Sequence, residues 1–311
     1  MKNYDLKKDI ESIRELYGLS KEDYANKVGL SRMNINRYEN GTIQPTISSL
    51  EKIYSFPYSQ GFRLNRAKEL LFIDNKKGNN LLFHGSKYGL ETINPKHLIG
   101  TKDFGGGLYL GETFESASTW ICEYKEGSVY AFYLKNKPSL KVLSFDVSKE
   151  WLFSILYYRD AFKKYKLNEE IVELINKIEN SDIIVAPIAD NQMYDTINRF
   201  AQGEITDIQC VHALSATNLG MQYVLKTQKA VDKLTLVDHM FLCEQEKYDY
   251  LRTKKENSNI GRDKAQLSIR KYAREGKYID ELFEKNWSNY IESCPFTSND
   301  FWAQCWRRTS I

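Results

Sequence analysis

A run of three glycines, Gly105–Gly107, opens the stretch FGGGLYLGETFESASTW and constrains this chain more than any other feature. Only 17 of the 311 residues are glycine, so three in a row indicate a backbone with unusual dihedral angles or close neighbours. The run leads into LYL, which predicts a strand with Tyr109 on the face opposite Leu108 and Leu110. A helix that carries Trp120 is predicted next; the alternative is a glycine hairpin with two core aromatics.

Two further predicted strands carry polar residues at their ends. Leu81–Phe83 is a short apolar run that leads into His84-Gly85-Ser86, where the bare backbone of the glycine would let a ligand approach closely. Met221–Leu225 is a β-prone run in which Gln222 lies on the face opposite Tyr223. Gln228 and Glu204 are alternative polar residues for this third position, and Gln222 is favoured because it begins a strand.

The N-terminal part predicts short helices. Ser20 and Ser31 are N-cap residues, and Gly29 makes the tight turn between the two helices that they begin. Two short helices joined by a turn of about four residues predict a helix-turn-helix, whose second helix enters the major groove of DNA. The stretch GLSKEDYANKVGLSRMNINRYENGTIQP resembles the XRE/Cro-type repressor domain, although a helical bundle that contacts protein would use the same fold. The outward residues that would contact DNA are Arg32, Asn34, Asn36 and Arg37.

Length and charge divide the chain into modules. At 311 residues it exceeds one ordinary core, and its 42% hydrophobic content excludes a disordered chain. Residues 1–78 carry 14 Lys/Arg against 10 Asp/Glu, residues 79–244 carry 17 against 21, and residues 245–311 carry 13 against 10. The sequence therefore predicts a head at 1–73, a polar linker at 74–80 (DNKKGNN), a middle domain at 81–239 and a helical C-terminal extension at 240–311.

Composition also excludes several classes of protein. The chain contains no run of about 18 apolar residues, and its N-terminus is charged. We therefore expect a cytoplasmic protein with no membrane contact. Its five cysteines lack CxxC spacing, so we expect no metal site. His97 and His239 are predicted at the surface, and His212 is predicted to pack from a helix.

The three strand motifs, taken in order, resemble the diphtheria-toxin and poly(ADP-ribose)-polymerase group of ADP-ribosyltransferases. That group has a His-Tyr-Glu triad, which corresponds here to His84, Tyr109 and Gln222. More closely, residues 81–237 resemble the bacterial domain-of-unknown-function 3990 family of that superfamily, to which the segment SDIIVAPIADNQMYDTINRFAQGEIT is also similar. The resemblance implies a split antiparallel β core with helices, and thus a multidomain α + (α+β) protein.

The resemblance also implies how NAD would bind. The backbone of Gly85 would hold the nicotinamide carboxamide, and His84 would bond a 2′-hydroxyl of the adenosine ribose with Ser86 nearby. Tyr109 would stack on the nicotinamide and Trp120 would cover its other face, while the glycines after Phe104 would leave room for the dinucleotide. The implied NAD-binding residues are His84, Gly85, Ser86, Phe104, Gly107, Tyr109 and Trp120.

The implied reaction is cleavage of the bond between nicotinamide and ribose, with NAD as substrate and no metal. Gln222 stands where many relatives have Glu, and an amide cannot act as a general base, so single transfer is favoured over chain elongation. We expect a toxin or phage-defence enzyme that modifies a protein, RNA or DNA acceptor, with an antitoxin or inhibitory partner and a homodimer as further expectations. The alternatives are a regulator with a non-catalytic NAD-sensing domain and an NAD glycohydrolase.

The C-terminal extension reads as charged helices with an apolar stripe. Trp302 and Trp306 share one helical face by their spacing. We expect the extension to pack back on the middle domain, and binding of nucleic acid or a partner is the alternative.

Overall fold

The computed structural model describes residues 4–90, 93, 95, 102–135, 138–161, 168–189, 194–217 and 219–284. His97, Trp302 and Trp306 lie outside these residues. In chain order the elements are α1 Leu6–Tyr17, α2 Lys21–Val28, α3 Arg32–Glu39, α4 Ile47–Ser59, α5 Leu64–Asn75, β1 Asn80–Ser86, β2 Leu108–Gly111, α6 Phe114–Ile121, β3 Ser128–Leu134, β4 Val142–Ser144, α7 Lys149–Tyr158, α8 Glu169–Glu179, β5 Ile183–Pro187, α9 Tyr194–Ala201, α10 Asp207–Leu214, β6 Met221–Leu225, α11 Gln228–Val231, β7 Leu234–Phe241, α12 Glu244–Lys271 and α13 Ile279–Glu284.

The first five helices form a head whose short elements begin and end at the predicted caps. The side chain of Ser20 accepts a hydrogen bond from the backbone of Asp23, and that of Ser31 accepts one from Asn34, each at 3.1 Å. Gly29 ends α2 in the left-handed region at φ 62°. These caps satisfy backbone groups that a helix of eight residues would otherwise leave unpaired at its ends. The predicted helix-turn-helix is therefore confirmed as α2 and α3.

A buried carboxylate fixes the recognition helix α3 to its neighbours. Glu39 is only 4% exposed and forms ion pairs with Arg14 of α1 (3.0 Å) and with Lys21 of α2. Because a buried charge is tolerated only when it is paired, this contact fixes the three helices relative to one another. The opposite face of α3 is left to solvent.

The body contains a seven-stranded sheet with the order β4-β5-β6-β2-β1-β3-β7. All neighbours are antiparallel except β4 and β5, so the sheet is mixed and departs at this edge from the expected antiparallel core. The connection from β4 to β5 passes through α7 and α8, which is the kind of crossover that a parallel pair requires. Helices pack on the sheet, so the body is an α+β domain.

The sheet is weakly joined at its centre. β1 pairs with β3 over seven residues and β2 pairs with β6 over four, but β1 and β2 share only the pair Phe83↔Gly111. The two halves of the sheet therefore separate on one side of this pair, at His84–Ser86 of β1 and at the preceding residues of β2.

The head is packed against the body through a buried polar interface. Lys68 of α5 contacts Asp9 of α1 at 2.8 Å and Asp238 of β7 at 2.5 Å. His239, which was predicted at the surface, lies instead between the rings of Tyr4 and Tyr130, with centroid distances of 3.8 and 4.2 Å. The sequence around His239 contains no motif that predicts this stacking, because the two ring partners come from distant segments.

The ends of two elements overlap the predicted linker at 74–80, and the C-terminal extension bridges both modules. α5 continues to Asn75 and β1 begins at Asn80, so only residues 76–79 connect head and body. The 28-residue helix α12 packs against α4 of the head and against α6 and α10 of the body. Among the helices in the described ranges, none is long and apolar enough to cross a membrane.

Candidate functional site

The point where β1 and β2 separate holds the first two residues of the predicted triad. The Nδ1 atom of His84 lies 2.8 Å from the backbone oxygen of Tyr109. A carbonyl oxygen only accepts hydrogen bonds, so Nδ1 must carry the proton. The imidazole thus occupies the place where the ladder between the two strands is interrupted.

The environment of His84 leaves its other ring nitrogen as an acceptor. Burial lowers the pKa of His84 from its ordinary value of 6.5, with a smaller opposing effect from the bond to the Tyr109 carbonyl. The ring is therefore neutral at pH 7 and Nε2 keeps its lone pair. Within the described residues Nε2 accepts no hydrogen bond, so this lone pair is available to a ligand hydroxyl.

Tyr109 is held rigidly by the loop that contains the glycine run. Its hydroxyl accepts a hydrogen bond from the backbone N–H of Phe104 (3.0 Å) and donates one to the carbonyl of Gly105 (2.8 Å). The ammonium group of Lys102 lies 4.6 Å from the centre of the Tyr109 ring. One face of this ring therefore already contacts a cation, an arrangement that aromatic rings favour electrostatically.

The glycines at this site have close neighbours within the protein. A Cβ atom on Gly105 would lie 2.7 Å from the ring of Tyr158, and one on Gly107 would lie 2.8 Å from Val224. A Cβ on Gly85 would lie 2.5 Å from the carbonyl oxygen of Ala117 in α6. These glycines allow close packing within the protein, and room for a dinucleotide beside Gly105–Gly107 stays a prediction.

We expect replacement of Gly105 by Ala to destabilise the protein more than replacement of Gly203. Both glycines have a positive φ, of 72° and 74°, which costs an L-residue about 1–2 kcal/mol. Only Gly105 has a neighbour within 4 Å, and overpacking adds about 1–3 kcal/mol. Urea unfolding of both variants measures the difference, and equal losses would show that Tyr158 moves aside freely.

Gln222, the third predicted residue, is held by two acceptors. Its Nε2 donates to Oδ2 of Asp103 and to the backbone oxygen of Pro187, each at 3.1 Å. Asp103 forms a second contact, an ion pair with Arg159 whose Nε lies 2.9 Å from Oδ1. Gln222 and Asp103 are each 7% exposed. Both donor positions of the amide are thus occupied, and its Oε1 atom accepts no bond from the described residues.

The three triad residues belong to one connected structure. Tyr109 pairs with Val224 in the register of β2 and β6, so Gln222, two residues earlier, lies on the same face of these strands as Tyr109. Asp103, which contacts Gln222, directly precedes the Phe104 amide that binds the Tyr109 hydroxyl. Sequence reasoning missed Asp103 and Arg159, because residues 56 positions apart show no shared pattern.

The remaining predicted NAD-binding residues are placed as follows. Phe104 is completely buried and its ring stacks on Phe145 at 5.5 Å, so its side chain supports the loop from the core. The hydroxyl of Ser86 donates to the carbonyl of Gly89. Trp120 of α6 is 56% exposed, and no ring contact joins it to Tyr109. The expected sandwich of these two rings is therefore not preformed in the described part of the chain.

The two alternative third residues bind elsewhere. Gln228 is exposed at the start of α11 and donates to Asp232 at 2.9 Å. The carboxylate of Glu204 is half-exposed and pairs with Arg199 at 3.2 Å. Neither forms a hydrogen bond or ion pair with the residues around Tyr109 in the described part of the chain, and Gln222 stays the predicted residue of this position.

The face of α3 expected to contact DNA is open to solvent. The side chain of Arg32 is 69% exposed, Asn36 and Arg37 are exposed, and Asn34 is half-buried at its edge. Asn36 accepts a bond from Lys21 at 3.2 Å, which adds a third cation beside Arg32 and Arg37. The body packs on other helices of the head and leaves this face uncovered in the described residues.

No metal site was found at these positions. The described ranges contain no group of three or more His, Cys, Asp or Glu residues placed to hold a metal ion. Cys122, Cys210 and Cys243 are buried free thiols.

Comparison with known proteins identifies two segments. Residues 10–54 match the helix-turn-helix family model, which supports DNA binding through the head. Residues 81–236 match the model described as "Protein of unknown function (DUF3990)". No curated protein and no solved structure matches the chain. Since the second match spans half of the 311 residues, the chain belongs to the DUF3990 family.

Proposed function

We propose that this protein is an NAD-dependent mono-ADP-ribosyltransferase with a DNA-binding head. The observation that carries the proposal is that His84, Tyr109 and Gln222 lie on three adjacent strands, β1, β2 and β6, and that the His84 ring bonds the Tyr109 backbone beside the point where β1 and β2 diverge. The resemblance of their motifs to the ADP-ribosyltransferase triad gives this arrangement its chemical interpretation.

Each residue is in a state that suits NAD. Neutral His84 offers Nε2 as an acceptor for a ribose hydroxyl. The fixed ring of Tyr109 attracts a cation on its face, and the pyridinium ring of NAD is a flat cation that could replace the Lys102 ammonium. Burial raises the pKa of Tyr109 well above its usual range, so its hydroxyl stays neutral and keeps its two backbone bonds. Gln222 presents only Oε1, which suits a second ribose hydroxyl.

The proposed reaction transfers ADP-ribose in one displacement. The bond between the ribose C1′ and the nicotinamide nitrogen breaks, and its electron pair neutralises the pyridinium. The ribose becomes transiently cationic, and a nucleophilic group of the acceptor bonds to C1′ and loses its proton to solvent. The protein orients the ribose through His84 and Gln222 and holds the nicotinamide on Tyr109, so its contribution is positioning and charge stabilisation.

The exposed residues of the head support a proposal about where this reaction takes place. Arg side chains read guanine and Asn side chains read adenine in the major groove, and α3 exposes both types. We infer that the head binds DNA near its own gene or near the acceptor, and so either regulates the enzyme or localises it.

Purified full-length protein incubated with labelled NAD and cell extract tests the enzyme. We expect nicotinamide release and label in a macromolecule, and separate nuclease and protease digestion of the product identifies the acceptor as nucleic acid or protein. Release without label in either fraction would mean that water is the acceptor and that the protein is an NAD glycohydrolase. If the wild type releases no nicotinamide, the enzyme is excluded; NAD-dependent DNA binding would then support a regulator.

A further inference from the structure

The amide of Gln222 lies in surroundings built for an amide and not for a carboxylate. Its NH₂ group faces two acceptors, the Asp103 carboxylate and the Pro187 carbonyl. The other oxygen of Asp103 is paired with Arg159, whose side chain is itself only 8% exposed. A carboxylate at position 222 would instead place two anions and a carbonyl oxygen together without a proton between them.

The orientation of the amide follows from these partners. An amide turned by 180° would put Oε1 against the Asp103 carboxylate and the Pro187 oxygen, which is electrostatically unfavourable. Oε1 is therefore directed away from both, and no described residue donates to it. Gln222 thus offers a single acceptor in a fixed direction, as one oxygen of a glutamate would.

We infer that Asp103 is a positioning residue that fixes Gln222 as a hydrogen-bond acceptor. Its carboxylate, which contacts the Gln222 amide, supplies the negative charge that the side chain at position 222 lacks. This inference rests on the proposed reaction, in which Gln222 binds a ribose hydroxyl. It means that Gln222 itself is the functional residue at this position and that the reaction does not require a glutamate there.

Other charged groups surround Asp103 and Gln222 and contribute to the electrostatic potential at this pair. Lys226 of the β6 end contacts the Phe104 carbonyl at 2.8 Å and Glu179 of α8 at 3.0 Å. The charged groups near Asp103 and the Tyr109 hydroxyl from neighbouring elements are Arg159, Glu179 and Lys226, and Lys102 lies over the Tyr109 ring. These groups are unchanged in each variant below, so differences in activity or stability between variants arise from the substituted residues.

The test compares Gln222→Glu with the wild type over a range of pH. At pH 8 we expect its kcat/KM for NAD to be lower by about tenfold or more, because the new carboxylate is repelled by Asp103 and loses its fixed direction. At lower pH the introduced carboxyl group takes up a proton, donates it in a hydrogen bond to Asp103 and regains the geometry of the amide. The ratio of variant to wild-type activity should therefore rise as the pH falls.

Two matched variants complete the design. Gln228→Glu also places a carboxylate beside an aspartate, Asp232, but at an exposed site, so its activity should stay within about twofold of the wild type. In the Asp103→Asn/Gln222→Glu double variant the asparagine NH₂ can donate to the new carboxylate, so activity at pH 8 should recover relative to Gln222→Glu. A Gln222→Glu variant that equals or exceeds the wild type at every pH would overturn the inference.

An unfolding measurement separates this inference from the proposed function. Repulsion raises the pKa of the carboxyl at position 222 above its unfolded value, so the stability of Gln222→Glu relative to the wild type is retained at low pH and lost as the pH rises. If the wild type fails to turn over NAD, the proposed function fails, and the thermal midpoints still test the contact. A midpoint difference that does not change between pH 5 and 8 would show that Asp103 does not position residue 222.

Discussion

Replacement of His84 by Ala is expected to lower kcat/KM for NAD about 10- to 100-fold. The variant removes the Nε2 acceptor proposed for a ribose hydroxyl and also the 2.8 Å bond from Nδ1 to the Tyr109 carbonyl. One hydrogen bond contributes about 0.5–1.5 kcal/mol, and each 1.36 kcal/mol corresponds to a tenfold change in rate. Steady-state kinetics of nicotinamide release, measured with folded protein, give the comparison.

The pH dependence of the same reaction tests the protonation state of His84. Its pKa lies below 6.5 because of burial, so the wild-type kcat/KM should be flat above this pH and fall as the pH drops through the lowered pKa. Protonation turns Nε2 from an acceptor into a donor, which explains the direction. This decrease should be absent from His84→Ala.

His212→Ala is the matched control for His84→Ala. Burial lowers the pKa of His212 as well, and its ring stacks on Tyr272 at 3.8 Å, so a similar loss of packing is expected. Since it lies on α10, apart from the β1–β2 split, it should turn over NAD at nearly the wild-type rate. If His84→Ala also stayed within about threefold of the wild type, His84 would have no role in binding the substrate.

Local signals in the sequence predicted the elements that carry the site. A cap acts on a backbone group two or three residues away, so Ser20 and Ser31 could be assigned from neighbouring residues alone. Alternation along a strand likewise predicted that Tyr109 faces away from Leu108 and Leu110, and the two leucines are indeed buried in another cluster. Both signals act within a few residues.

Contacts between distant segments were not predictable in the same way. Gly105 was correctly expected to need a positive φ or close neighbours, but the neighbour, Tyr158, lies 53 positions further along the chain. The contact between Asp103 and Gln222 spans 119 positions and depends on the register of β2 and β6. A single sequence contains no periodic signal for such pairs, so the carboxylate that complements Gln222 was missed.

The interface between head and body was missed for the same reason, although its charges are easily seen in the sequence. Lys68 and Asp9 look like surface charges of amphipathic helices, yet they meet Asp238 of β7 in a buried cluster. The polar segment 74–80 suggested independent modules. The structure instead joins them through paired charges, which has a measurable consequence.

Replacement of Lys68 by Met is expected to reduce the free energy of unfolding by about 3–5 kcal/mol at pH 7. The Lys68 side chain is 10% exposed and is within hydrogen-bonding distance of both Asp9 and Asp238. Its removal leaves two carboxylates facing each other without the cation between them. Lys177→Met is the control, because Lys177 and Glu173 form an exposed pair that solvent screens, so its loss should leave the free energy of unfolding nearly unchanged.

The loss in Lys68→Met should depend on pH with a defined sign. Burial already raises the pKa of Asp238, and Lys68 opposes this effect. Without the lysine, the pKa rises further, so the protonated carboxyl stabilises the variant at low pH and this stability disappears as the pH increases. The difference between variant and wild type should therefore be smallest near pH 4 and grow towards pH 7.

The same variant shows whether the head and the body unfold as one unit. All five tryptophans lie at position 120 or beyond and none in the head, so tryptophan fluorescence does not report the head directly, whereas far-ultraviolet circular dichroism also reports the five helices of the head. In the wild type the buried interface should make the two transitions coincide. In Lys68→Met the head should lose its attachment and the dichroism should change before the fluorescence. Coincident transitions in the variant would show that the remaining contacts, including the Tyr4–His239–Tyr130 stack, are sufficient to couple the modules.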